Sequence, residues 1–154
     1  MTEGELVALE YAWLPKQVAW GASMQTLIVK TDRRTQLLDV TAQVQMAVSA
    51  TKIEKGICYL YVPHTTAGIT INECADPYVA RDIESTLDRL APAAGPYRHG
   101  EGNSGSHIKS VLVGVSQTVF VVDGRLELGR WQGIFFCEFD GPRERKLHIK
   151  IVSE

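Results

Sequence analysis

Clear alternation of apolar and polar positions begins at Met24. In MQTLIVKT, Leu27 and Val29 share one face and Ile28 takes the other, the period-two pattern of a strand. LLDVTAQVQMAVSA then sets Val40, Val44 and Val48 at helical spacing behind a cap at Asp39 or Thr41. GICYLYVP, at 56–63, is β-rich and apolar on both faces, which predicts a central strand stopped by Pro63. ITINEC alternates again, with Ile69 and Ile71 opposite Thr70 and Asn72. In ADPYVARDIESTLDRLAP, Asp76 stands at an N-cap, Pro77 at the first helical position, and Val79, Ile83, Leu87 and Leu90 along one stripe; a helix is predicted.

From residue 111 onward the pattern is almost wholly β. Strands are predicted over 111–113, 118–122, 125–128, 134–139 and 146–152. Asp123-Gly124 between VFVV and RLEL is a hairpin signal, and Asp140-Gly141 ahead of Pro142 marks another turn. A mixed first half followed by consecutive strands predicts an α+β fold over a doubly wound parallel sheet.

Length and composition confine this pattern to one domain. With 154 residues and 45% hydrophobic content, the chain can bury a single sizeable core. A net charge of -2 with no basic block argues against nucleic acid or a membrane as partner, leaving small molecules. The opening MTEGELVALEYAWLPKQVAW has acids where a secretory leader needs lysine or arginine, and no apolar run reaches spanning length, so a cytoplasmic location is expected. Cys58, Cys74 and Cys137 are odd in number, lie in or beside apolar segments and show no paired spacing; buried free thiols are expected.

Chemically capable residues gather in two places. HTTAGITINECADP, at 64–77, supplies His64, Thr66, Asn72, Glu73 and Asp76; YRHGEGNSGSH, running on to Lys109, supplies Arg98, His99, Glu101, Asn103, His107 and Lys109. Each has a plain structural alternative. His64 follows a strand-ending proline and can bond a neighbouring loop; Asp76 is explained as a cap. His99 and His107 are eight apart, which matches no zinc signature. The glycines of GEGNSGS admit positive φ, so backbone N–H groups can converge on an anion, yet no P-loop pattern is present. His148 alternates onto the solvent face between Lys146 and Lys150 and is set aside.

PHTTAGITINE with the following ADP, HGEGNS with HIK, and DGRLELGRWQGIFFCEFDGPRERK together resemble the YjbQ-like family, which is named for a secondary thiamine-phosphate synthase activity. The likeness runs from about Met24 to the C-terminus, so residues 1–23 are expected to be an N-terminal extension and 24–154 the domain. It departs at Cys74, Tyr78, Gly105 and Ser106. The resemblance implies a β-sandwich-like α+β body with helices on one side, assembled as a homotrimer. It also implies one polar pocket in which the two segments face one another. There His64, His99, His107 and Lys109 would be catalytic, and Thr66, Asn72, Arg98, Asn103 and Gln132 would hold substrate. A divalent metal, Mg²⁺ or Zn²⁺, would sit on His64, Glu73, Asp76, Glu101 and His107. The reaction joins an aminopyrimidine diphosphate to a thiazole phosphate and releases pyrophosphate. The same inventory suits a metal-dependent hydrolase, or a trimer that binds a metal or a small phosphorylated metabolite without turnover.

Overall fold

The computed structural model describes residues 24–154; the expected extension over residues 1–23 lies outside the described residues. In chain order the elements are β1 (Gln25–Lys30), β2 (Gln36–Asp39), α1 (Thr41–Thr51), β3 (Lys55–Tyr61), β4 (Ala67–Glu73), α2 (Pro77–Leu90), α3 (Ser104–Val113), β5 (Ser116–Val122), β6 (Arg125–Leu126), β7 (Gln132–Glu138) and β8 (Glu144–Ser153). Two antiparallel sheets result, a five-stranded one in the order β1-β8-β3-β5-β6 and a three-stranded one in the order β2-β7-β4. This is the expected α+β sandwich.

The main core lies between the sheets. Cys58, Leu60 and Val62 follow β3 inward, Leu147, Ile149 and Ile151 follow β8, and Ile69, Ile134 and Phe136 meet them from the smaller sheet. Val40, Val44 and Val48 join the same core, so the helical spacing around α1 identified its buried face correctly. A second, smaller core lies behind the three-stranded sheet, where Leu37, Phe135, Cys137 and Phe139 take Ala80, Ile83 and Leu87 of α2 and Val113 of α3. Two of the three described helices thus sit on one side, as expected.

Four local expectations change. The stretch 111–113 is the last turn of α3 and not a strand. In α2 the packed stripe is Ala80, Ile83 and Leu87, while Leu90 is exposed, because the helix lies along the edge of the second core and buries none of its residues completely. β3 is central by pairing, between β8 and β5, but its outer side chains Tyr59 and Tyr61 are exposed; β7 is the strand buried on both faces. Cys58 and Cys137 are buried as expected, and burial pushes both thiols up to about 12, whereas Cys74 is exposed.

The turns follow their chemistry. Asp123 and Gly124 adopt φ of 50° and 70°, the paired positive angles of a type I′ hairpin turn. Asp76 caps α2 by accepting the Tyr78 N–H at 2.9 Å. No described helix is long and apolar enough to cross a membrane.

Candidate functional site

The three-stranded sheet decides where the candidate residues go. β4 and β7 run antiparallel with Ala67 opposite Glu138 and Glu73 opposite Gln132. Seven residues of strand separate those two ends, about 20 Å at roughly 3.3 Å per residue. His64 and Thr66 lie just before the first end; Asn72, Glu73, Asp76 and Gln132 lie at the second.

At the first end a polar network is buried and bonded throughout. Glu138 receives Arg145 Nε at 2.8 Å and Nη2 at 2.5 Å, the Thr31 hydroxyl at 3.0 Å, and the Phe139 and Asp140 amides at 3.0 and 2.9 Å. Arg145 also donates to the Thr66 hydroxyl at 2.8 Å. Thr66, expected to hold substrate, is buried in this network. His64 stands beside it and accepts the Lys146 N–H on Nε2 at 2.8 Å, which leaves the ring proton on Nδ1. Partial burial lowers its proton affinity first; Arg145, Lys146 and His148 lower it further, against Glu138. His64 therefore stays neutral near pH 7, in the role of the plain alternative, a histidine bonding a neighbouring backbone. His148, set aside in the sequence, is one of its neighbours; it is half-buried, stacks on Tyr61 at 6.3 Å and bonds Thr26 at 3.0 Å.

The loop at 97–107 meets this end through α3. Ser106 donates to the Phe139 carbonyl at 2.5 Å and Ser110 to the Ala67 carbonyl at 2.6 Å, so the helix is fastened by hydroxyls across the ends of β7 and β4. Gly105 allows the close approach of the chain leaving α2, since a Cβ there would lie 2.4 Å from the Pro92 oxygen. Of the loop's glycines only Gly102 has positive φ, at 71°, and GNSGS runs straight into α3. The extended anion nest expected from the glycines is replaced by a helix start.

This start brings three candidate side chains together. His99 and His107 meet edge to face with ring centroids 5.4 Å apart, and Glu101 lies 3.7 Å from His99 Nε2. Asn103 donates to Asp140 at 3.0 Å, while its buried Oδ1 has no partner among the described residues. Arg98 is exposed close by in sequence. No hydrogen bond or ring contact joins His64 to this pair among the described residues.

Lys109 goes elsewhere. At about 100° per residue, His107 and Lys109 fall on either side of the buried Ser106 and Ser110. The Lys109 ammonium is buried against Asp88 of α2, with Thr35 at 3.4 Å. At the far end of the sheet, Asn72 accepts the Glu73 N–H at 2.7 Å and Gln132 accepts the Gly129 N–H at 2.8 Å, both exposed. Among the described residues no three His, Cys, Asp or Glu side chains converge as a metal would need. The ligand set implied by resemblance is divided between the two ends.

Residues 25–154 match the model of the UPF0047 protein YjbQ-like family. The chain belongs to the YjbQ-like UPF0047 family. The UPF0047 protein MJ1081 of Methanocaldococcus jannaschii is 53% identical, the match covering 82% of this chain and 91% of that protein. YugU of Bacillus subtilis is 49% identical over 84% of this chain and 99% of its own. Among solved structures, a YjbQ/UPF0047-family protein from Clostridium acetobutylicum superposes with a TM-score of 0.82 at 49% identity, covering 83% of this chain and 99% of that one. Membership of the YjbQ-like family accounts for the fold; it does not by itself name a reaction.

Proposed function

We propose that the protein acts on a small phosphorylated metabolite as a secondary thiamine-phosphate synthase, joining an aminopyrimidine diphosphate to a thiazole phosphate. The observation that carries this reading is the cluster at the start of α3, where two imidazoles and a carboxylate meet beside solvent. In the condensation a C–N bond forms to the thiazole nitrogen, the C–O bond to the diphosphate breaks, and pyrophosphate leaves. The protein's task is to gather charge on the leaving group and supply it a proton. The ring N–H groups of His99 and His107, with Arg98, do this, and Glu101 orients His99.

The divalent-cation ligand set does not fit one ion within a chain, and no step is assigned to a metal. Magnesium held mainly by substrate phosphates would need one or two carboxylates from a protein, and Glu101 is the carboxylate beside the imidazoles.

The reading includes a homotrimer. Head-to-tail contact, which closes into a ring, joins the imidazole end of one copy to the Asn72, Glu73, Asp76 and Gln132 end of the next. The exposed apolar side chains beside each end support this, Val111 and Leu112 at one and Trp131 and Tyr78 at the other.

The test is turnover of the two precursors by purified protein, with its mass in solution read by light scattering. His107→Ala is expected to lower turnover by roughly 10²–10⁴-fold, and mixed trimers of His107→Ala and Glu73→Ala chains to recover turnover that neither has alone. Undiminished turnover in His107→Ala overturns the catalytic assignment. Precursor binding without turnover points to a metabolite-binding protein, and a monomer in solution overturns the shared site.

A further inference from the structure

We infer that a cleft between α2 and the β1–β2 turn is a second ligand site, for a small phosphate-bearing anion. The inference does not rest on the synthase reading, because no imidazole lines the cleft, which lies on the Lys109 flank of α3. It encloses about 460 Å³, within the range of roughly 300–1,000 Å³ common for small-molecule sites. Four cations, Arg33, Arg34, Arg81 and Lys109, line it against two carboxylates, Glu84 and Asp88.

The two carboxylates are held differently. Glu84 accepts the Arg33 fork at 3.1 and 3.2 Å and the Leu37 amide at 2.7 Å, so it belongs to the wall. Asp88 is 51% exposed, and a single oxygen of it receives both the Lys109 ammonium and the Thr35 hydroxyl, the latter at 3.0 Å. Lys109 is only 3% exposed. A buried ammonium thus has as counter-ion a carboxylate that can swing into water.

That Asp88 oxygen marks where the cleft favours an anionic oxygen. A phosphate oxygen placed there takes the same ammonium and hydroxyl, and its other oxygens face two guanidinium forks. Arg34 comes no nearer than 4.0 Å to Asp140, and Arg81 lies over the Tyr78 ring at 5.6 Å; neither fork makes a hydrogen bond among the described residues. Planar forks suit phosphate oxygens in pairs, and the surplus of cations suits a dianion. Asp88 then acts as an internal competitor that the ligand displaces.

The test is amide NMR of the full chain titrated with inorganic phosphate and with pyrophosphate, against sodium chloride at equal ionic strength. Saturable shifts at Thr35, Ser85 and Lys109 with the phosphates alone are expected. The Arg34→Ala/Arg81→Ala double variant, altered only at exposed positions, should weaken binding by about tenfold or more, the effect of losing charge-assisted bonds. Asp88→Asn should tighten it by about tenfold, since apparent affinity scales with the fraction of time the ammonium is free. Shifts that fail to saturate, that chloride reproduces, or that fall only on 99–107 overturn the proposal, as does equal affinity in wild type and the double variant.

Discussion

The two ends of the three-stranded sheet carry similar residue types and use them in opposite ways. At the Thr66 end, Glu138 and Arg145 are buried and every charged oxygen of Glu138 is bonded. At the Gln132 end, Asn72 and Gln132 are exposed and bond only local backbone. Buried polar groups are tied into the fold by the cost of leaving any of them unpaired; exposed ones remain available to a ligand or a partner. Residue type alone does not separate the two cases.

Four measurements break or sharpen this contrast. Glu138→Ala strands the Arg145 guanidinium in the core and should cost about 3–5 kcal/mol in urea unfolding, the usual result of removing one partner of a buried pair. Asn72→Ala and Gln132→Ala should stay within about 0.5 kcal/mol, and equal losses at the two ends would erase the distinction. Asp76→Ala removes the α2 cap and should cost about 1 kcal/mol, measured the same way.

The third is a pH dependence. The folded state lowers the proton affinity of His64 below its ordinary 6.5, so the unfolded chain binds more protons in the window beneath that value. Stability from this group is present above 6.5 and is lost as pH falls through the lowered folded value. Thermal midpoints should decline across that window, and His64→Gln should flatten the decline; an unchanged slope removes His64 from the network. The smallest effect is on reactivity, not stability. A thiol reagent at neutral pH should label Cys74 alone in the native protein, and labelling of Cys137 before unfolding would contradict its burial.

Much of the architecture was legible. Period-two alternation located β1, β4 and β8, the Asp76-Pro77 start located α2, and Asp123-Gly124 located a hairpin, because each is set by local chemistry. α3 was missed for a physical reason. Its buried face is Ser106, Lys109 and Ser110, whose value lies in hydrogen bonds to distant strands and a distant carboxylate, so it displays no hydrophobic stripe. The Glu138–Arg145 pair left a fainter trace, since Arg145 shares the parity of Leu147, Ile149 and Ile151. The candidate site was legible as a cluster at His99 and His107, while its division across the sheet was not, because strand length, and not residue type, sets that separation.

The pairing of β1 with β8, from Gln25 opposite Ile149 to Lys30 opposite Glu144, has a consequence for how the protein is made. The first described strand must wait for the last before its hydrogen bonds can form, and β3 likewise needs β8 on one side. A ribosome-bound chain can assemble α1 and the β3–β5 pairing, but β2 must wait for β7, and the five-stranded sheet closes only after β8 has emerged. Such non-local closure is slow relative to helix formation. Until then the edge of β3 that pairs with β8 lies open in the nascent chain.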